Sequence, residues 1–298
     1  MITLADALAG GPVVLDGGLA TQLEAQGHKL DSELWSARLL VDDPEAIIQA
    51  HVAYFQAGAQ VATTASYQAS IDGFARAGIA HGEAQQLIKR SVRLAQQAHA
   101  SYEDDHDRWI AGSVGPYGAA LADGSEYRGD YGLSVHQLRA WHRPRIQLLA
   151  EAGVDVLALE TIPCLAEVEA LLAEVDGSGQ ACWLSLTCAG DRTRAGEPAN
   201  VAFALARDVD EIVAVGVNCI DPADAYALVH SASLATSKPV VIYPNSGERW
   251  DAAVKTWIGP AAFSANDVQT WITGGARLVG GCCRVGPAEI KTIRNLVA

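Results

Sequence analysis

No run of about 18 apolar residues occurs in this sequence and no apolar leader opens it, so neither a membrane-spanning helix nor a secretory signal is expected. Basic residues are scarce: 21 Lys and Arg stand against 35 Asp and Glu, for a net charge of −14. Nucleic acid needs a basic face to meet its phosphates, so it is not an expected partner. Also missing are a CxxC knuckle, a GxGxxG turn after the first apolar run and a Pro/Ser-rich linker. With them go the usual zinc-knuckle signature, the main support for a dinucleotide-binding fold and the mark of a domain boundary. Six cysteines without a leader argue against a disulfide framework and for a reducing, cytoplasmic setting.

What is present is a chain of 298 residues, 50% hydrophobic, able to bury a large core. Short apolar runs alternate with longer helical patterns. Strands are expected at 13–15, 60–64, 109–114, 154–161, 181–187, 212–218, 240–243 and 278–281. Pro44 opens a helix whose Ile47, Ile48, Val52 and Phe55 recur at helical spacing, and further helices are expected at 83–102, 134–152, 165–175, 199–208, 222–235, 262–274 and 287–297. Eight β-then-α units whose strands are too apolar to expose either face predict an α/β fold, a (β/α)8 TIM barrel, as a single domain over residues 1–298.

In such a barrel the chemistry collects at the C-terminal ends of the strands. Those ends carry Asp16-Gly17-Gly18, Thr64 to Tyr67, Gly115-Pro116-Tyr117, Glu160-Thr161, Thr187-Cys188, Asn218-Cys219, Pro244 to Gly247 and Cys282-Cys283. Neighbouring cysteines on a regular strand point to opposite faces, so Cys282 and Cys283 can share one ion only if Gly280-Gly281 breaks the strand. The alternative is two packed thiols. Strands six and eight are alternate strands and share an inward layer, which favours convergence of Cys219, Cys282 and Cys283 on one soft ion, with Zn2+ expected. Three thiolates leave a fourth position open. They also make zinc a poor Lewis acid for hydrolysis and suit it instead to holding a substrate thiolate, which points to alkyl transfer onto sulfur.

The blocks Leu15 to Gly18, Gly112 to Pro116, Leu159 to Thr161, Gly216 to Cys219, Tyr243 to Gly247 and Gly280 to Cys283 together resemble the homocysteine S-methyltransferases across essentially the whole chain. Leu34 to Ala37, Thr64 to Ala69 and Leu121 to Tyr131 look like the bacterial branch that uses S-methylmethionine. The resemblance implies zinc on Cys219, Cys282 and Cys283, with Glu160 pairing with the homocysteine ammonium. It also implies that the backbone after Asp16, at Gly17 and Gly18, holds the carboxylate, and that Asn218 supports the site. The expected reaction is attack of the homocysteine thiolate on a sulfonium methyl group, with methionine leaving as a thioether.

Donor contacts are expected from Asp123, Glu126, Tyr127, Asp130 and Tyr131 in one loop and from Glu248, Trp250 and Trp257 in another. S-methylmethionine is the first expected donor and S-adenosylmethionine the second. The other reading is a barrel that binds zinc and a thiol without turnover. Partners are then small molecules, with no nucleic acid and no membrane, in a monomer or small homo-oligomer. Cys164 and Cys188 lie near the same face with no assigned role.

Overall fold

A computed structural model describes residues 2–30, 34–102, 104, 106–251, 256–262 and 264–297, without the side chains of 35, 36, 249–251, 256 and 257. Eight parallel strands form one sheet: β1 (Val13–Val14), β2 (Val61–Thr63), β3 (Trp109–Val114), β4 (Val156–Ile162), β5 (Cys182–Leu186), β6 (Ile212–Asn218), β7 (Val240–Tyr243) and β8 (Ala276–Val279). Each pairs with its neighbour in chain order, and β8 returns to β1 through Val13↔Leu278 and Val14↔Val279. The ring closes where Leu15 bridges Val61 and Asp16 N donates to Val61 O at 3.1 Å. This is a (β/α)8 TIM barrel, as the alternation of apolar runs and helices predicts.

Strand side chains alternate between two cores with a period of two residues. Val13, Leu15, Trp109, Ala111, Val156, Ala158, Trp183, Ala214, Val241 and Leu278 fill the barrel interior. Val14, Ile110, Leu157, Leu159, Leu184, Val215, Val217 and Ile242 face outward to the helices. Both faces are buried, so the runs are continuously apolar.

The helices start where local chemistry dictates. Asp43 accepts from Ala46 N at 3.2 Å, with Pro44 at the first helical position of Pro44–Gln56. Ser134 and Gln137 form a reciprocal cap for Val135–Glu151. The strands shift slightly from their expected limits, and β8 ends at Val279 rather than at Gly281.

The expected count of eight helices is too low. Leu4–Gly10, opened by a Thr3–Asp6 capping box, places Leu4 and Leu8 against the interior cluster at the N-terminal end of the barrel. Leu19–Ala25 occupies what reads as a polar loop, and Leu39–Asp42, Ile71–Arg76 and Tyr117–Leu121 are further short helices. Two short antiparallel strand pairs lie outside the barrel sheet, Cys188–Ala189 with Arg192–Thr193 and Arg249–Asp251 with Thr256–Ile258. Among the described residues no helix is long and apolar enough to cross a membrane.

Candidate active site

The inward rows that fill the barrel with apolar side chains change character at their last step. On β3 the row Trp109, Ala111 ends at Ser113; on β4, Val156 and Ala158 lead to Glu160; on β6, Ala214 and Gly216 lead to Asn218. Trp183 leads to Ser185, Val241 to Tyr243 and Val61 to Thr63. A polar layer therefore sits on an apolar floor, at the bottom of a cavity of about 770 Å³ at the C-terminal mouth. That volume suits one small substrate and a donor.

The layer is one hydrogen-bonded network. Ser113 Oγ donates to Glu160 Oε1, and Tyr243 OH donates to Glu160 Oε2 at 3.0 Å. Tyr243 OH also lies 2.7 Å from Ser185 Oγ and accepts from Trp183 Nε1 at 3.0 Å. Ser185 donates to Asn218 Oδ1 at 2.8 Å. The Asn218 carboxamide accepts from Thr161 N and donates to Thr161 Oγ1, both at 2.7 Å. Thr161 and Cys219 hold left-handed φ values of 61° and 50°, a strained choice for side chains with a Cβ. The Asn218 bridge between the ends of β4 and β6 fixes one of these two turns directly and abuts the other.

Asp16 sits on the same floor, 5% exposed, accepting from Thr63 N at 2.7 Å and Thr63 Oγ1 at 2.9 Å. Burial pushes its carboxyl up to about 8, against the lowering effect of Thr63 and with the Glu160 charge adding to the rise. Glu160 is likewise raised by burial, and its bonds from Ser113 and Tyr243 and the nearby Arg145 pull the other way. Two buried carboxyl groups with too few positive neighbours make a strong site for a cation.

Gly17 and Gly18 are needed because the 282–285 turn lies on them. A Cβ at Gly17 would strike Val285 O, and one at Gly18 would come within 2.5 Å of Cys282 O. The Gly18 N–H donates to Val285 O at 3.0 Å, so of the expected pair of anion-binding amides one is already engaged. The Gly17 N–H has no protein acceptor among the described residues. The local motif offers both amides alike, because a backbone-to-backbone bond across more than 260 residues leaves no trace in it.

The three cysteines meet. Cys219, Cys282 and Cys283 have their sulfurs within 4.8 Å of one another. β8 ends at Val279, Gly280 and Gly281 pack too closely on Leu15 and Val285 to carry a Cβ, and both neighbouring cysteines line the cavity. The loop after β7 holds the 282–285 turn: Cys282 N donates to Pro244 O at 2.7 Å, Cys283 N to Asn245 Oδ1 at 3.1 Å, and Ser246 N to Cys283 O at 3.0 Å. This explains the Tyr243 to Gly247 block.

Of the three, Cys219 and Cys282 are joined here as a disulfide and Cys283 is free. Sulfurs placed to share one ion are also close enough to bond to each other on oxidation. When reduced, they form a soft, three-sulfur donor set with room for a fourth ligand, which fits zinc. Burial and the neighbouring Glu24 carboxylate push the Cys283 thiol up to about 11, so the thiolate form calls for a cation beside it.

Of the expected donor contacts, Glu126 and Tyr127 line the cavity. Asp123 instead caps Ser125, and Asp130 pairs with Arg128 at 3.4 Å. Tyr131 packs edge-on against Tyr117, and Glu248 binds Ser246 and Arg284. The side chains of Trp35, Trp250 and Trp257 lie outside the described residues. Cys164 and Cys188 are buried away from the cavity, each thiol pushed up to about 12 by burial.

A family model described as homocysteine S-methyltransferase matches residues 13–297. The chain belongs to the homocysteine S-methyltransferase family. It is 44% identical over 291 residues to the Escherichia coli (strain K12) homocysteine S-methyltransferase, covering 95% of this chain and 94% of that one. Two crystal structures of the E. coli homocysteine methyltransferase MmuM superpose with TM-scores of 0.86. The metallated form is 41% identical, with 96% of each chain covered, and the oxidized form is 42% identical, with 95% of each covered. As a homocysteine S-methyltransferase the protein is an enzyme, and homocysteine and a methyl donor are its small-molecule substrates. The reading as a passive zinc-holding barrel is set aside.

Proposed function

We propose that this homocysteine S-methyltransferase transfers a methyl group from a sulfonium donor to L-homocysteine at a zinc ion held by Cys219, Cys282 and Cys283, forming methionine. S-methylmethionine is the first donor and S-adenosylmethionine the second. The observation that carries the reading is the convergence of three cysteine sulfurs at the rim of a cavity whose floor holds Asp16 and Glu160. When bound, zinc supplies the positive charge that keeps the homocysteine sulfur as a thiolate at neutral pH.

The chain's own residues do the rest. Glu160, held by Ser113 and Tyr243, takes the homocysteine ammonium together with Asp16. That cation offsets the burial of both carboxylates and favours their ionised forms. The Gly17 N–H, which has no protein acceptor among the described residues, supplies a donor for the carboxylate. Asn218 fixes Thr161 and the chain leading to Cys219.

With the amino acid anchored at both charged ends, its sulfur points to the rim. The thiol proton leaves to solvent, a new S–C bond forms to the methyl carbon, and the donor's S–C bond breaks so that the donor departs as a neutral thioether. A thiolate and a sulfonium neutralise each other along this path, so a cavity that sheds water favours it.

The test is metal content of protein purified under reducing conditions, beside a methionine-forming assay with homocysteine and each sulfonium. About one zinc per chain and turnover with S-methylmethionine are expected. Turnover that persists after full removal of the metal would overturn the zinc assignment, and turnover with neither sulfonium would overturn the donor class.

A further inference from the structure

The roles above leave the donor's positive charge without a partner, and one side chain at the rim is equally short of one. Helix Tyr117–Leu121 is followed by Ala122 and Gly124 at left-handed φ values of 56° and 79°. Asp123 then accepts from Ser125 N at 2.9 Å and from the Ser125 hydroxyl, folding the turn Ser125–Tyr127 back onto the helix. Contact is so close that a Cβ at Gly118 would fall on Glu126 N and within 2.6 Å of the Ser125 carbonyl carbon. The Glu126 backbone is therefore held against the helix.

Its Oε2 is buried and accepts no hydrogen bond among the described residues. The nearby cations are engaged elsewhere. Arg128 pairs with Asp123 at 3.9 Å and Asp130 at 3.4 Å, and Arg194 sits over the Tyr127 ring at 5.5 Å. Among the described residues, the cavity that Glu126 lines has four carboxyl side chains, Asp16, Glu24, Glu126 and Glu160, against Lys29 and His28. Asp16 and Glu160 are assigned above to the amino acid, whereas Glu126 lies close enough to Cys283, Tyr127 and Tyr67, all of which line the cavity, to act on them electrostatically. A buried carboxylate oxygen without a partner is costly unless a ligand covers it.

We propose that Glu126 is the specificity residue for the methyl donor, its free carboxylate oxygen facing the sulfonium charge, with the Tyr127 ring as the neighbouring wall. The proposal rests on the sulfonium reading above. It predicts that a cation is preferred over a neutral methyl compound of similar size, and that the product is held more weakly than the donor. The donor loses its charge in the transfer, so the attraction to Glu126 ends when the methyl group has moved. Because that attraction is already weakening in the transition state, Glu126 acts on donor binding far more than on the transfer step.

The experiment compares wild type with Glu126→Gln, which keeps size and removes charge, using S-methylmethionine and the uncharged donor methyl iodide in parallel. Losing a charge-assisted contact raises the KM for S-methylmethionine roughly 10- to 100-fold, with kcat little changed. Zinc content, the KM for homocysteine and the rate with methyl iodide stay at wild-type values, which also shows that the variant is folded. Glu126→Asp recovers part of the lost donor affinity.

An unchanged KM for S-methylmethionine in Glu126→Gln overturns the proposal, as does an equal loss with methyl iodide. If wild type uses methyl iodide and no sulfonium, the donor reading itself fails and takes this proposal with it. If wild type uses the sulfonium and Glu126→Gln matches it, only the role of Glu126 falls.

Discussion

Replacing Tyr243 by Phe removes one oxygen and keeps the ring that packs edge-on against Trp183, with centroids 6.4 Å apart and planes at 87°. That oxygen has three partners: it donates to Glu160 Oε2 at 3.0 Å, meets Ser185 Oγ at 2.7 Å and accepts from Trp183 Nε1 at 3.0 Å. Two consequences follow. Trp183, fully buried, is left with a donor and no acceptor, which costs about 1–3 kcal/mol of stability. Glu160 loses a hydrogen bond to its charged form, so a carboxyl already raised by burial rises further and is less ionised when homocysteine binds. A hydrogen bond to a charged group is worth about 1.5–3 kcal/mol, so the KM for homocysteine should rise at least about tenfold. The donor KM should hold, and the acid limb of kcat/KM for homocysteine should move to higher pH. Steady-state kinetics over a pH series, with thermal unfolding alongside, reads all of these. An unchanged homocysteine KM with an unmoved acid limb would refute the assignment of Glu160 to the ammonium, since no other change in Tyr243→Phe compensates for the lost bond.

Three further outcomes are expected. Cys282→Ser should lose zinc and turnover together while its far-ultraviolet circular dichroism stays that of the barrel; full zinc with full activity would remove Cys282 from the ligand set. His51 is fully buried, without a hydrogen-bond partner among the described residues, and burial lowers it from its ordinary 6.5 to about 4. The native state keeps this ring neutral while the unfolded chain takes up the proton. Stability is therefore lost as pH falls from 6.5 towards 4, by about 3 kcal/mol for this group. Urea unfolding across that window should show the loss, and a His51→Leu variant should lack that share of the slope. Cys164 and Cys188, both held near 12 by burial, should resist iodoacetamide in the native enzyme at pH 8 and react on unfolding; mass mapping of either adduct on folded protein would contradict their placement.

Much of the frame was legible because its cause is local. Strands buried on both faces read as unbroken apolar runs, and eight of them with intervening helices leave few architectures. Asp16, Glu160 and the three cysteines stood out because each follows such a run directly. The helix Leu4–Gly10 leaves little trace in the sequence, although Thr3 and Asp6 carry a capping box, because it has only two buried leucines in seven residues. Leu19–Ala25 reads as loop for the same reason, with Leu23 alone fully buried.

Other parts depended on distant chain. The engaged Gly18 amide, the hold of Pro244, Asn245 and Ser246 on the cysteine turn, and the service of Ser113, Thr63, Ser185 and Tyr243 to Glu160, Asp16 and Asn218 are all contacts between strands or loops far apart in the chain. One signal for that last group was available. Each residue stands two positions beyond an inward apolar residue on its strand, where period-two alternation places it on the barrel axis.

By itself the sequence determined the barrel, the end of it that carries chemistry and the kinds of group found there, because hydrophobic period and residue type act over a few neighbours. Only the tertiary structure decided which groups share a hydrogen bond, which of two glycine amides stays free, which thiols stand within bonding distance and which of the many acidic loop residues turns to the cavity. Those are distances between segments far apart in the chain, set by strand register and loop packing rather than by any residue's own preference.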